Sequence, residues 1–108
     1  MANAEIGELE IELGGERYIL RPEFRGLCEI ENKTGKSVLE IARLFSQESV
    51  LLSHLVAVIY GGLIWKYDLT FDQVGEKIVS DGYVKFAPVA ATFLSSGLVG
   101  SQKKSEKQ

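Results

Sequence analysis

The sequence predicts an α+β fold, mostly α, in which an N-terminal β-hairpin packs on a small bundle of four to five helices. Three observations predict it. Adjacent glycines, Gly14 and Gly15, separate two runs of alternating apolar and charged residues. Two capping-box sequences, "SVLE" at 37–40 and "TFDQ" at 70–73, open helical patterns further along. The stretch "VLLSHLVAVIYGGLIW", Val50 to Trp65, is apolar on nearly every side, as a central helix must be.

The hairpin is testable by register. A two-residue turn needs positive φ, which glycine accepts. With Gly14 and Gly15 in that turn, Leu13 faces Glu16, Glu12 faces Arg17, Ile11 faces Tyr18, Glu10 faces Ile19, Leu9 faces Leu20 and Glu8 faces Arg21. One face then collects Leu9, Ile11, Leu13, Tyr18 and Leu20, and the other collects Glu8, Glu10, Glu12, Arg17 and Arg21. A slip of one residue would mix the faces, so burial fixes the pairing. Ile19 is the one apolar residue on the charged face. A two-stranded sheet is marginal alone, so its apolar face has to lie on helices.

Five helical segments follow. Pro22 suits the first position of a helix. Phe24, Leu27, Cys28 and Ile30 form its apolar side, and Gly35 is a C-cap. The second, from Ser37, carries Val38, Leu39, Ile41, Ala42, Leu44 and Phe45. The third spans about Glu48 to Ile64, with Ser46 placed to cap it, and Gly61-Gly62 permits a close neighbour near its end. The fourth carries Phe71, Val74 and Ile78 and stops at Asp81-Gly82. The last runs from about Tyr83 to Leu98, with a stripe of Tyr83, Ala87, Ala90, Ala91, Leu94 and Leu98; Pro88 means that it kinks or starts late. Residues 1–100 are read as one globular domain, with the hairpin over about 7–21 and the helices over about 22–98. Residues 101–108 are expected to be a disordered, charged tail.

Composition narrows function by exclusion. The net charge is −3; the tail contributes +2 through Lys103, Lys104 and Lys107 against Glu106, leaving −5 on the body. Phosphate binding wants a basic face, so nucleic acid is not the expected ligand. A membrane span wants about 20 apolar residues, longer than Val50–Trp65. "MANAEIGELE" lacks the basic start and apolar core of a secretory leader. One cysteine, Cys28, permits no internal disulfide, and one histidine, His54, gives no metal-ligand cluster. Cys28 reads as a small core residue rather than a nucleophile, and adjacent Ser53 and His54 point different ways on a helix. The carboxylates Glu8, Glu10 and Glu12, and Glu29 and Glu31, read as solvated charge. Gly61-Gly62 lacks the further glycines and the lysine of a phosphate loop. No catalytic residue, cofactor or metal is therefore expected. The candidates for protein contact are the apolar groups this fold leaves outside: Ile19, Tyr60 and Trp65.

The order of these features resembles the small tail proteins of gene transfer agents and related siphophage-like elements. The resemblance rests on Gly14, Gly15, Arg17, Tyr18, Leu20, Arg21 and Pro22, then Phe24, Leu27, Glu29, Ile30, Glu31 and Gly35, and later on "LTFDQVGEKIVSDG" at 69–82. Trp65-Lys66-Tyr67 departs from the pattern. The family is described as tail-assembly chaperones and sometimes as tail tube components. The resemblance implies a non-enzymatic protein of the host cytoplasm. It would bind the tape measure protein and tail tube subunits during tail morphogenesis, with a homo-oligomer also possible. The alternative is a structural tube or connector subunit that stays in the particle. A third reading, a free-standing regulator or enzyme, would need a ligand at Cys28 or His54.

Overall fold

The computed structural model describes residues 2–99. Leu9–Leu13 (β1) and Glu16–Leu20 (β2) form an antiparallel two-stranded sheet. Five α-helices follow: Phe24–Thr34 (α1), Val38–Ser46 (α2), Leu52–Leu63 (α3), Phe71–Asp81 (α4) and Phe86–Val99 (α5). A 3-10 turn, Ala4–Ile6, precedes β1, and another, Tyr83–Lys85, leads into α5.

The hairpin has the expected register from Leu9↔Leu20 to Leu13↔Glu16. Gly14 and Gly15 both have positive φ, +62° and +83°. Ile11, Leu13, Tyr18 and Leu20 are buried on one face. The other face departs from expectation at Glu8, which is buried rather than solvated. Its Oε1 accepts the Asn3 N–H at 2.9 Å and its Oε2 accepts the Arg21 Nε–H at 2.7 Å. The Arg21 guanidinium also lies 4.0 Å above the Trp65 ring, a cation–π contact.

The free edge of β2 is closed from inside the chain. Trp65 Nε1–H donates to the Ile19 carbonyl at 2.8 Å, and the Ile19 N–H donates to the Tyr67 hydroxyl at 3.1 Å. The Arg21 N–H donates to the Gly62 carbonyl at 2.9 Å. The aromatic pair thus serves as a substitute strand, which is how folded proteins keep an edge from recruiting another chain.

α3 is the axis. His54 through Ile59 and Gly61 through Leu63 are buried, as a helix apolar on every side requires. α1 crosses it at a point where neither helix has a side chain. A Cβ on Gly26 would lie 2.1 Å from the Gly61 carbonyl oxygen, and a Cβ on Gly61 would lie 2.6 Å from the Gly26 oxygen and 2.5 Å from Ile30 Cγ1. Beside it, a Cβ on Gly62 would meet Leu20 and Phe93 at 3.0 Å. The two consecutive glycines of α3 therefore admit α1 on one side and both β2 and α5 on the other.

The helix ends follow local chemistry. Gly35 ends α1 with φ +72°, its N–H on the Glu31 carbonyl. Glu31, exposed as expected, also accepts the Val38 N–H at 2.9 Å and so ties α1 to α2. Ser37 caps α2 through the Glu40 N–H, but Glu40 turns to Arg43 instead of closing the box. Thr70 and Gln73 make the complete reciprocal pair at α4.

Several boundaries and faces differ from the sequence expectation. α1 starts at Phe24, and Pro22 sits in the connection, with its ring beside Gly7 and Gly97. Phe24 and Cys28 are exposed, because the face that meets α3 is built on Gly26 and Ile30. Leu39 is exposed as well. α3 starts at Leu52, because Glu48 adopts positive φ after α2 and breaks the path; Ser46 Oγ donates back to the Arg43 carbonyl. α5 starts late, with Pro88 in its first turn, where no intrahelical N–H is needed. Its buried stripe is Phe86, Ala90, Phe93 and Leu94, while Tyr83 and Leu98 are exposed. The expected tail, 101–108, lies outside the described residues.

Two outcomes follow from this packing. Gly61→Ala forces a methyl group against a backbone oxygen that cannot rotate away. It should cost about 3 kcal/mol or more by denaturant unfolding, the upper end for overpacking, and a loss below about 1 kcal/mol would contradict the crossing. The second concerns acid. Burial opposes ionisation of Glu8, but the Asn3 N–H and the Arg21 guanidinium outweigh it and hold its carboxyl below the ordinary 4.5. A depressed folded value stabilises the protein above the unfolded value and loses that contribution as pH falls through the folded one. Glu8→Gln should therefore lower the denaturation midpoint at pH 7 and flatten its fall below pH 4.5. Parallel curves for variant and parent would contradict this.

Candidate functional site

An open groove of about 730 Å³ lies between the start of α3 and the length of α4. It exists because of how α3 is used. From His54 onward α3 is enclosed, but its first turn stands clear of the core, with Leu51 and Leu52 exposed. Leu52 and Val56, one turn apart, form one wall, with Ser53 beside them.

α4 forms the opposite wall with two parallel rows at helical spacing. The first is Phe71, Gly75 and Val79; the second is Asp72, Glu76 and Ser80. Its reverse face, Val74 and Ile78, is buried in the core. α4 is also tied to the hairpin: the Gly14 N–H donates to Asp81 Oδ2 at 2.7 Å. The groove wall is therefore anchored at its far end to the tightest turn in the chain.

The floor is open at Gly75. A Cβ there would meet Val56 Cγ1 at 3.5 Å, an ordinary contact. No crowding requires glycine at this position, unlike Gly26 and Gly61. A glycine inside a helix costs roughly 0.5–1 kcal/mol relative to alanine. What it provides here is a gap between the apolar side chains of Phe71 and Val79, with Val56 at its base.

The rim is acidic. Asp72 and Glu76 sit one turn apart, a like-charge spacing that disfavours an isolated helix. Among the described residues neither joins an ion pair, and the groove lining holds no lysine or arginine. The site thus combines an apolar trough with one negatively charged wall.

The residues singled out from sequence lie elsewhere. Ile19 and Trp65 come together, joined by the indole hydrogen bond, and each is half-buried. Tyr60 is half-buried at another place, edge-on to Phe71 at 5.9 Å, with the Lys33 ammonium 5.8 Å from its ring. Phe71 is thus shared between Tyr60 and the groove. Cys28 is exposed on α1. His54 is buried; burial, with a smaller push from Lys36, holds its pKa below the ordinary value, and its Nδ1 accepts the Leu51 N–H at 3.5 Å. It is spent on the start of α3. Among the described residues no three His, Cys, Asp or Glu side chains converge on a common point. The groove residues Leu52, Val56, Asp72, Gly75, Glu76 and Val79 escaped the sequence reading. Their signal was the doubled row on α4, which leaves Phe71 and Val79 off the face of Val74 and Ile78.

The sequence itself matches a known family. The sequence profile of the family described as "Phage tail tube protein, GTA-gp10" matches residues 6–100. The chain belongs to that family. It is therefore a tail protein of the phage and gene transfer agent type, as the hairpin motif and the later "LTFDQVGEKIVSDG" led one to expect. The match begins just before β1 and runs past the end of α5, so the hairpin and the groove both lie inside the region common to the family. No curated protein and no solved structure matches the chain.

Proposed function

We propose that this tail protein acts during tail assembly as a chaperone. It binds the tape measure protein reversibly through the α3–α4 groove, keeps it soluble in the host cytoplasm, and presents it to tail tube subunits. The observation that carries this reading is the groove itself, an apolar trough about as long as two to three helical turns on a protein with little sheet. A tape measure protein is long, apolar and helical, and a groove of this shape suits one face of such a helix. Binding of this kind needs no reaction centre, so the role is one of association without turnover. The acidic body favours solubility of a coated assembly.

The alternative is a structural subunit of the tube or connector, and the family's description favours it. Against it stands the sheet. A tube ring is built by joining sheets edge to edge, and among the described residues there are two strands, with the β2 edge occupied by Trp65, Tyr67 and Gly62.

Particle composition separates the two. Purified tails should lack the protein, while co-expression with the tape measure protein of the same gene neighbourhood should yield a co-purifying complex. Many copies in the finished tail, with no complex on co-expression, would establish the structural role instead.

A further inference from the structure

We infer that the α3–α4 groove is selective for an amphipathic helix whose apolar stripe is bordered on one side by lysine or arginine residues one turn apart. The inference rests on the chaperone reading for its biological setting and adds the chemistry of the bound segment.

Three features of the groove specify this occupant. Phe71 to Ser80 on α4 spans about 13 Å, room for roughly nine residues of helix. Gly75 leaves a gap between Phe71 and Val79, floored by Val56 and opening into the groove that Leu52 also lines, into which an apolar side chain can lie. Asp72 and Glu76 then border that gap on one side, at the i,i+4 spacing that two cations on a partner helix would share. With a basic helix in place, the like-charge pair on α4 becomes two opposite-charge pairs, partly shielded from water by the apolar contact. An acidic or neutral helix would leave Asp72 and Glu76 desolvated without partners, which costs affinity. A second copy of this chain is a poorer occupant, because a body of charge −5 meets another of the same sign.

Gly75 also supplies a test that spares the fold. Its added Cβ has room, and a larger residue improves helix propensity, so Gly75→Ala should be as stable as the parent or more so, and Gly75→Leu should fold with its side chain filling the gap. Both are checked by thermal unfolding. Binding is read by fluorescence anisotropy with two labelled synthetic helices that share one leucine stripe, one flanked by lysine and the other by glutamate. The lysine helix should bind about tenfold tighter or better, and the gap should shrink in about 0.5 M salt. Gly75→Leu should abolish binding of the lysine helix, and Glu76→Lys combined with Asp72→Asn should reverse the preference. Equal binding of the two helices would overturn the inference. So would undiminished binding to folded Gly75→Leu, or a concentration-dependent dimer that Gly75→Leu dissolves. The tape measure co-expression distinguishes the levels. Capture by parent and Gly75→Leu alike removes the groove assignment and leaves the chaperone role. Binding of the lysine helix without capture of the tape measure protein does the reverse.

Discussion

The fold depends on a place where two helices meet without side chains and two further elements close against the next glycine. Gly26 of α1 and Gly61 of α3 bring two helix backbones into contact, and Gly62 lets β2 and α5 close from the other side. A Cβ at Gly26 or Gly61 would overlap a main-chain oxygen, which has no rotamer to escape into. The hairpin is fastened at the same node, through the Arg21 N–H on the Gly62 carbonyl and through Leu20 against Gly62. A two-stranded sheet that would be marginal alone is thereby built into the helical core, and its apolar face seals that core.

The proposed function follows from what this arrangement leaves over. Because most of α3 from His54 onward is buried, with Tyr60 half-buried, its exposed first turn is the part that opens onto the groove. α4 spends one face on the core and sets the other opposite that turn. The result is a trough rather than a closed cavity, with apolar walls and a negative rim. The two groups with the most chemical potential are used otherwise: His54 is buried at the start of α3, and Cys28 lies exposed on α1, on a separate helix. The closed edge of β2 belongs to the same arrangement, since Trp65 and Tyr67 occupy the Ile19 backbone groups and keep the sheet from extending on that side.

Much of the architecture was legible because its signals are local. Gly14-Gly15 sets the turn, and alternation then sets every pair in the hairpin. Thr70 with Gln73 starts α4, and Gly35 ends α1. The errors came where contact is made by the absence of a side chain. Periodicity assigns weight to large apolar residues, so Phe24 and Cys28 appeared to face inward, whereas α1 docks through Gly26. Alternation pairs Glu8 with Arg21 but not with Asn3, whose N–H lies outside the ladder and helps bury the carboxylate. The groove was hidden for the same reason as the helix crossing: its defining feature is the missing side chain of Gly75. Trp65 and Tyr67 could not be matched to Ile19 until the chain was folded, because about 46 residues separate them in sequence.

The most direct measurement of the central claim is native-state hydrogen exchange across the hairpin and α3. If the glycine node unites them, the Arg21 amide and the inner amides of β1 and β2 should exchange with the same opening free energy, and the same denaturant dependence, as the amides of Val58 and Ile59. Hairpin amides that exchange freely while α3 stays protected would mean that the sheet is an appendage and that the node does not hold the fold together.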